Sequence, residues 1–399
     1  MLSLLALMGC TNDPPDPIDD TVDSTDSPVD TQVELTYCEA LGFEEKAFDA
    51  SADGNDQGEL VGDFTVTTLD GEWTLSEHWT GCDSYVFFNH HGDYDYPKSV
   101  LASQQQYLFQ DTPTNVHYFF MSFNQGNEEA EVTAWRDKIQ AEYEFLDEDG
   151  QAWAQEHFHF VTTSAWEVPG SVGAFLQDFP TWHFGIDQHQ EFREILYIAN
   201  QYDNWAGDMR GLAMEANWYN FLAAQRERLE AEQDVTVVTV LDGSPVSSVT
   251  LQADLPESMT DFDTLEMELE LVCGSTEDVG CGEWDYLIYL DVCGTPSQTN
   301  PHSETPCDAD DTLPGACALA DGTEAEATYT CNAEGTGYND VSCGCTEIGR
   351  FITAYSRGGH WTLEASGALP HLMAGGTQTF RFRSSYTYGN TLDLRLSNS

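Results

Sequence analysis

The stretch TLEMELELVC, Thr264–Cys273, alternates without a break. Leu265, Met267, Leu269 and Leu271 fall on one side, and Glu266, Glu268 and Glu270 on the other. Successive side chains of a strand point to opposite faces, so a period of two predicts an antiparallel strand with one face on a core and one in water. The stretches around it repeat the theme. VTVVTVLDG (235–243), SVTLQADLP (248–256), DYLIYLDV (285–292), RFITAYS (350–356), HWTLEAS (360–366), TFRFRSSYTYG (379–389) and LDLRLS (392–397) are short runs parted by turn residues. Such spacing predicts a β-sandwich or jelly roll over 233–399. Between Cys293 and Cys345 lies a Gly/Asp/Thr-rich insert. It is too polar to form a core and is expected to be a loop pinned by disulfides.

Upstream, over 38–232, strands and helices alternate instead. SYVFFNH (84–90) and VHYFFMSFN (116–124) are apolar strands. EHFHFVTT (156–163) and TWHFGIDQHQEFREILYI (181–198) supply more, the latter as a hairpin turning at Asp187–Gln190. YPKSVLASQQQYLFQ (96–110), EAEVTAWRDKIQAEYEFL (129–146) and AMEANWYNFLAAQRERLEAE (213–232) have helical periodicity. This order predicts an α/β sheet. DGNDQGEL (53–60) begins like a calcium loop, but Phe64 stands where the bidentate glutamate belongs, so it reads as a plain turn.

VGDFTVTTLDGEWTLSEHWTG (61–81) and FPTWHFGIDQHQEFREI (179–195) resemble the thioredoxin-like fold, in its thiol-peroxidase and redoxin branch, over about 60–200. The resemblance makes Pro180 the candidate cis-proline before a strand. It also places Asn89-His90-His91-Gly92-Asp93 where that family carries its reactive cysteine. Without a thiolate there is no nucleophile for disulfide exchange, so redox activity is not expected. Asn89, His90, His91 and Pro180 then read as the relic of that site. The competing reading is a metal site on His90, His91 and Asp93, completed by His157, His159 or His183. It is set second, because neighbouring histidines rarely point the same way; no metal is assigned.

GCGEWDYLIYLDVC (280–293), EIGRFITAYS (347–356) and TFRFRSSYTYG resemble the first domain of peptide-N-glycosidase F over about 235–397. The resemblance implies an eight-stranded antiparallel jelly roll and cleavage of the bond between asparagine and the first sugar of an N-glycan. It places the principal catalytic carboxylate on Asp285, with Glu283 beside it. Trp284 falls where a sugar ring can stack, with Tyr286 next to it, and Arg350 matches a buried-strand arginine whose counter-ion is one of these acids. Amide hydrolysis needs a base, oxyanion donors and a proton source. This chain departs from the family there: Tyr286 replaces an arginine, and Ser384, Ser385 and Tyr386 stand where a second acid belongs. A structural reading also remains open, with Trp284 packed beneath a disulfide-braced turn and Asp285 capping backbone N–H groups. A copper oxygenase is excluded, since His302, His360 and His371 are widely separated and form no HxH.

The 399 residues carry 13 Lys and Arg against 70 Asp and Glu, a net charge of −57. Nucleic-acid binding requires basic residues to replace counterions, so this composition excludes it. Loosely held surface Ca²⁺ is possible, and no other cofactor is expected. The start, MLSLLALMGCTN, resembles a bacterial lipobox, with Cys10 as the lipidated residue after a signal segment at 1–10. Residues 11–37 follow as a Pro/Asp/Ser/Thr-rich stretch that cannot bury a core and reads as an acidic tether. Lipidation of Cys10 leaves ten cysteines for five bridges in an oxidising compartment. Cys38 pairs with Cys82, the other cysteine of the first half, and Cys273 with Cys281 across a short acidic turn. The connectivity of Cys293, Cys307, Cys317, Cys331, Cys343 and Cys345 stays open. The chain thus reads as an envelope lipoprotein, held to the outer membrane by its lipid, that binds glycans or glycoproteins. The alternatives are an N-glycan amidase completed by a partner and a structural envelope lipoprotein.

Overall fold

A computed structural model describes residues 35–90, 106–178, 183–195, 209–243, 245–273, 281–282, 284–354 and 357–398. The chain divides into two units, Met1–Thr36 and Tyr37–Ser399, and every element named here belongs to the second. A short hairpin, β1 (Thr65–Thr68) and β2 (Gly71–Thr74), leads into β3 (Ser84–His90), β4 (Val116–Ser122), β5 (Phe158–Phe160), β6 (His183–Ile186) and β7 (Phe192–Ile195). The last five form a sheet in the order β5-β4-β3-β6-β7. β3, β4 and β5 run parallel, whereas β6 is antiparallel to β3 and to β7. Every residue of β3 and β4 is buried, which is why both read as continuous apolar runs rather than alternating ones. One face packs Val86, Phe88 and Phe120 against Val132, Trp135 and Leu212 of the helices. The other sets Tyr85, Phe87 and Phe119 against Phe64, Trp73 and Phe175.

Besides the short helical turns Tyr37–Leu41 and Leu75–His78, two longer helices are not legible from periodicity: Glu148–His157 and Gly170–Asp178. The first is set by its cap, since the Asp147 carboxylate accepts from Gly150 N at 2.9 Å. It takes up Glu156 and His157, so the strand expected from Glu156 begins only at Phe158.

The second half is antiparallel throughout. It contains β8 (Thr236–Leu241), β9 (Pro245–Leu255), β10 (Thr264–Val272), β11 (Leu287–Cys293), β12 (Thr295–Pro296), β13 (Thr312–Ala318), β14 (Glu324–Thr330), β15 (Cys345–Ile352), β16 (Gly359–Glu364) and β17 (Gly376–Ser397). Among the described residues seven strands form one sheet, β15-β11-β17-β10-β16, with β8 and β9 also on β17. The runs at 379–389 and 392–397, expected as separate strands, are one 22-residue strand. Its beginning pairs with β11 and its end with β10 and β8. Phe380 and Phe382 near one end and Leu392, Leu394 and Leu396 near the other enter the same core. The strand must therefore bend, and its register on β9 shifts between Arg383 and Tyr388.

The insert is more than a pinned loop. β12, β13 and β14 form their own sheet over a small core of Cys317, Tyr329, Tyr338 and Val341. Gly315 permits that closeness, because a Cβ there would collide with Val341 and Tyr329. Cross-links offset what so few apolar residues cannot supply. Of the glutamates of β10, Glu270 faces water as expected, whereas Glu266 and Glu268 are only part-exposed. Glu266 meets Arg228 of the helix Arg210–Ala231 at 2.8 Å. Glu268 meets Arg395 at 2.8 Å and His360 at 2.6 Å. The polar face of the strand is thus the seat of the long helix, which joins the two halves.

Candidate functional site

The alternation of β11 sends Ile288, Leu290 and Val292 into the core. Leu287, Tyr289 and Asp291 are left on the outer face. Before the strand, Tyr286 N donates to Thr353 Oγ1 and Thr353 N to Tyr286 O, each at 3.0 Å. These bonds tie Tyr286 to the sheet, and Cys281 upstream of it is buried in the same core. Trp284 is 72% exposed, and Asp285 is exposed with no hydrogen bond or ion pair among the described residues. The reading of a packed Trp284 is therefore corrected, and the turn that Asp285 is expected to cap lies largely outside the described residues. Tyr286 is half-buried against Tyr386, with ring centroids 5.1 Å apart, and Tyr386 lies 4.9 Å from Tyr388. Glu283 lies outside the described residues.

Arg350 is also corrected. It is exposed, and its carboxylate is Glu347 at 2.9 Å rather than Asp285. The reason is register: Arg350 stands opposite Tyr289 on the outer face, three residues from Glu347 on its own strand. Sequence reasoning missed the partners across the sheet. Arg350 and Arg383 place their guanidinium groups 4.9 and 4.5 Å from the Tyr289 ring centre. One row further, Asp291 is 2% exposed and accepts from Arg381 Nε at 2.9 Å and Arg383 Nε at 2.8 Å. Burial pushes its carboxyl upward, but these two guanidinium groups outweigh it and hold the acid below the usual carboxylate range. The alternating FRFR of β17 was the available signal, since it puts both arginines on one face.

In the α/β half, Asn89 and His90 end β3. Both polar atoms of the Asn89 side chain are buried without a partner. His90 Nδ1 lies 2.9 Å from Glu131, which also accepts from Ser122 and Asn124 at 2.6 Å each. His183 stacks on Phe88 at 4.5 Å, and burial pushes its imidazole down to about 3. His91, Asp93 and Pro180 lie outside the described residues. At the opposite end of the strands is a cluster that sequence reasoning did not join. Asp83 lies 3.5 Å from His117, His117 Nδ1 3.0 Å from His159 Nε2, and the His157 ring 4.3 Å from His117. Among the described residues no group of three or more His, Cys, Asp or Glu is arranged to hold a metal ion. A cleft of about 530 Å³ lies between the long helix and β10, but its Arg193 and Arg226 are engaged by Asp187 and Glu191.

Five disulfides are formed: Cys38–Cys82, Cys273–Cys281, Cys293–Cys345, Cys307–Cys331 and Cys317–Cys343. They mark a protein of an oxidising, extracytoplasmic compartment. Cys10 lies outside the described residues, and among those described no helix is long and apolar enough to cross a membrane.

No family model matches this chain, and no curated protein matches it either. Among solved structures it is similar to that of PNGF-II in space group P21, at 8% identity and a TM-score of 0.25. The match covers 54% of this chain and 43% of that one, so the chain spans less than half the length of that protein. A superposition this loose carries no argument about activity.

Proposed function

We propose that the chain is a lipoprotein, anchored through Cys10 at the outer membrane, that binds glycans or glycoproteins through its β-rich half. The observation that carries the reading is the entrance of β11. Exposing a tryptophan forgoes burial worth roughly 2 kcal/mol, and Asp285 beside it is exposed and makes no cap among the described residues. A structural turn has no reason to do either, whereas a sugar platform needs an open indole beside a free hydrogen-bond acceptor. The α/β half is read as thioredoxin-like, with Asn89 and His90 at its inactive site; the order β4-β3-β6-β7, with β6 antiparallel, supports this. The β-rich half is read as a jelly roll with a bent common strand.

Hydrolysis of N-glycans is the second reading, favoured by the exposed carboxylate of Asp285, which has no partner among the described residues and could act as a base. It is set lower because the other carboxylates of the face are engaged. Asp291 is held ionised by two arginines, so it is not poised to deliver a proton to a departing amine, and Glu347 is paired with Arg350. Incubation of the full chain with an N-glycosylated peptide tests both. Retention of the intact glycopeptide, lost in Trp284→Ala, supports binding. Free glycan whose release stops in Asp285→Ala establishes the amidase in its place.

A further inference from the structure

The outer face of β15, β11 and β17 holds more guanidinium donors than the protein itself uses. Asp291 takes Arg381 Nε and Arg383 Nε and Nη2, and Glu347 takes Arg350 Nε and Nη2. Both Nη atoms of Arg381, and Nη1 of Arg350 and of Arg383, are left without an acceptor among the described residues. The Tyr289 hydroxyl between them is equally unengaged. Three guanidinium charges meet two carboxylates, a local excess of one positive charge in a chain of −57. Screening at physiological ionic strength confines fields to about 8 Å, so an oxyanion touching this face meets the local excess rather than the total charge.

The donors are also ordered. Cross-strand register sets Arg350, Tyr289 and Arg383 in one row, and Glu347, Asp291 and Arg381 in the next. The rows lie about 7 Å apart along the strand. Each arginine is already fixed by an ion pair, so a ligand has little side-chain freedom left to remove. The guanidinium fork matches the paired oxygens of a carboxylate or sulfate.

We propose that this face selects an acidic saccharide, one whose rings bear carboxylate or sulfate-ester groups. Arg381 is its principal oxyanion partner, and Arg350 and Arg383 line the adjoining row. The inference rests on the saccharide-binding reading above and adds the charge class of the ligand.

An array of oligosaccharides in matched pairs tests it, each acid beside its neutral methyl ester or unsulfated parent, probed with the full chain. The expected result is binding of the acidic members at least tenfold more tightly than their partners. Arg381→Gln should remove most of that preference with unchanged thermal unfolding, because Arg383 still holds Asp291. Arg350→Gln is the second variant and should weaken the preference without touching Asp291. Carboxylated and sulfated pairs separate the two sources of the oxyanion, and preference in either supports the proposal. Equal binding within pairs overturns it and leaves the saccharide reading standing. An acid preference undiminished in both variants overturns it as well, as does equal competition by inorganic sulfate. Binding to no member of the array removes both readings.

Discussion

In the α/β half, Phe87 stacks between Phe119 and Phe184 at 4.5 and 4.3 Å, His159 stacks on Phe119, His183 is buried against Phe88, and His157 is buried against His117. That half carries one of the five disulfides, Cys38–Cys82. In the β-rich half four disulfides supplement the core, and the outer face is held by ion pairs between neighbouring strands. One half is stabilised by enclosing aromatic and neutral polar groups. The other restricts its unfolded chain and pairs its charges at the surface. The two strategies respond to different perturbations, and that difference is measurable.

The largest separation should come from removing the Cys293–Cys345 bridge. Its ends are 52 residues apart, and closing a loop of that size contributes about 4 kcal/mol in the chain-entropy picture. Cys293→Ser with Cys345→Ser should lower the urea midpoint of the β-rich half. The transition of the α/β half, followed through buried tryptophans such as Trp73, should stay in place. A common transition in both proteins would show instead that Arg228–Glu266 and its neighbours make the halves one cooperative unit.

Next in size is the double change Arg381→Gln and Arg383→Gln. It strands the buried Asp291 carboxylate, at a cost of about 3 kcal/mol by denaturant unfolding. Arg381→Gln alone should cost within about 0.5 kcal/mol, since the bidentate Arg383 remains. Additive losses would contradict the shared partner.

Acid should divide the halves further. Burial, together with repulsion from His117, pushes His157 from the usual value near 6.5 down to about 4. The folded protein therefore keeps this ring neutral while the unfolded chain protonates it, and stability falls as pH drops from about 6.5 towards 4. At pH 5 the loss is about 2 kcal/mol for this group, with further losses from His159 and His183. Asp291 behaves differently. Its depressed folded value contributes stability above the ordinary carboxylate range and is lost only as pH falls below about 4. Thermal melts between pH 7 and 5 should weaken the α/β half first, and His157→Gln should flatten that dependence.

The smallest effect on stability belongs to Trp284→Ala, within about 0.5 kcal/mol because the side chain lies in water. If the indole is a sugar platform, the same variant should lose at least tenfold in affinity for a bound glycopeptide by calorimetry.

The elements most legible in the sequence were those whose pattern has a local cause. SYVFFNH, TLEMELELVC and the helix up to Ala231 follow from apolar runs, strict alternation and a long 3.6-residue period. The helix Glu148–His157 escaped because a carboxylate cap, rather than an apolar stripe, begins it. The candidate site was half legible. Trp284, Asp285 and Arg350 were singled out along the chain, but Tyr289, Asp291, Arg381 and Arg383 become one surface only through cross-strand register.

By itself the sequence determined the antiparallel character of the second half, the apolar strands alternating with helices in the first, and the oxidising compartment. Each rests on composition or on a period set by backbone geometry, which acts over a few residues. Tertiary structure decided where the polar faces go. Alternation says that Glu266 and Glu268 leave the core, but only the tertiary structure gives them their partners, Arg228 of the docked helix for Glu266 and Arg395 and His360 of the neighbouring strands for Glu268. It likewise decided that the arginines of β17 surround Asp291 and that Asp285 is exposed, because charge partners are chosen by distance across strands and not by spacing along them.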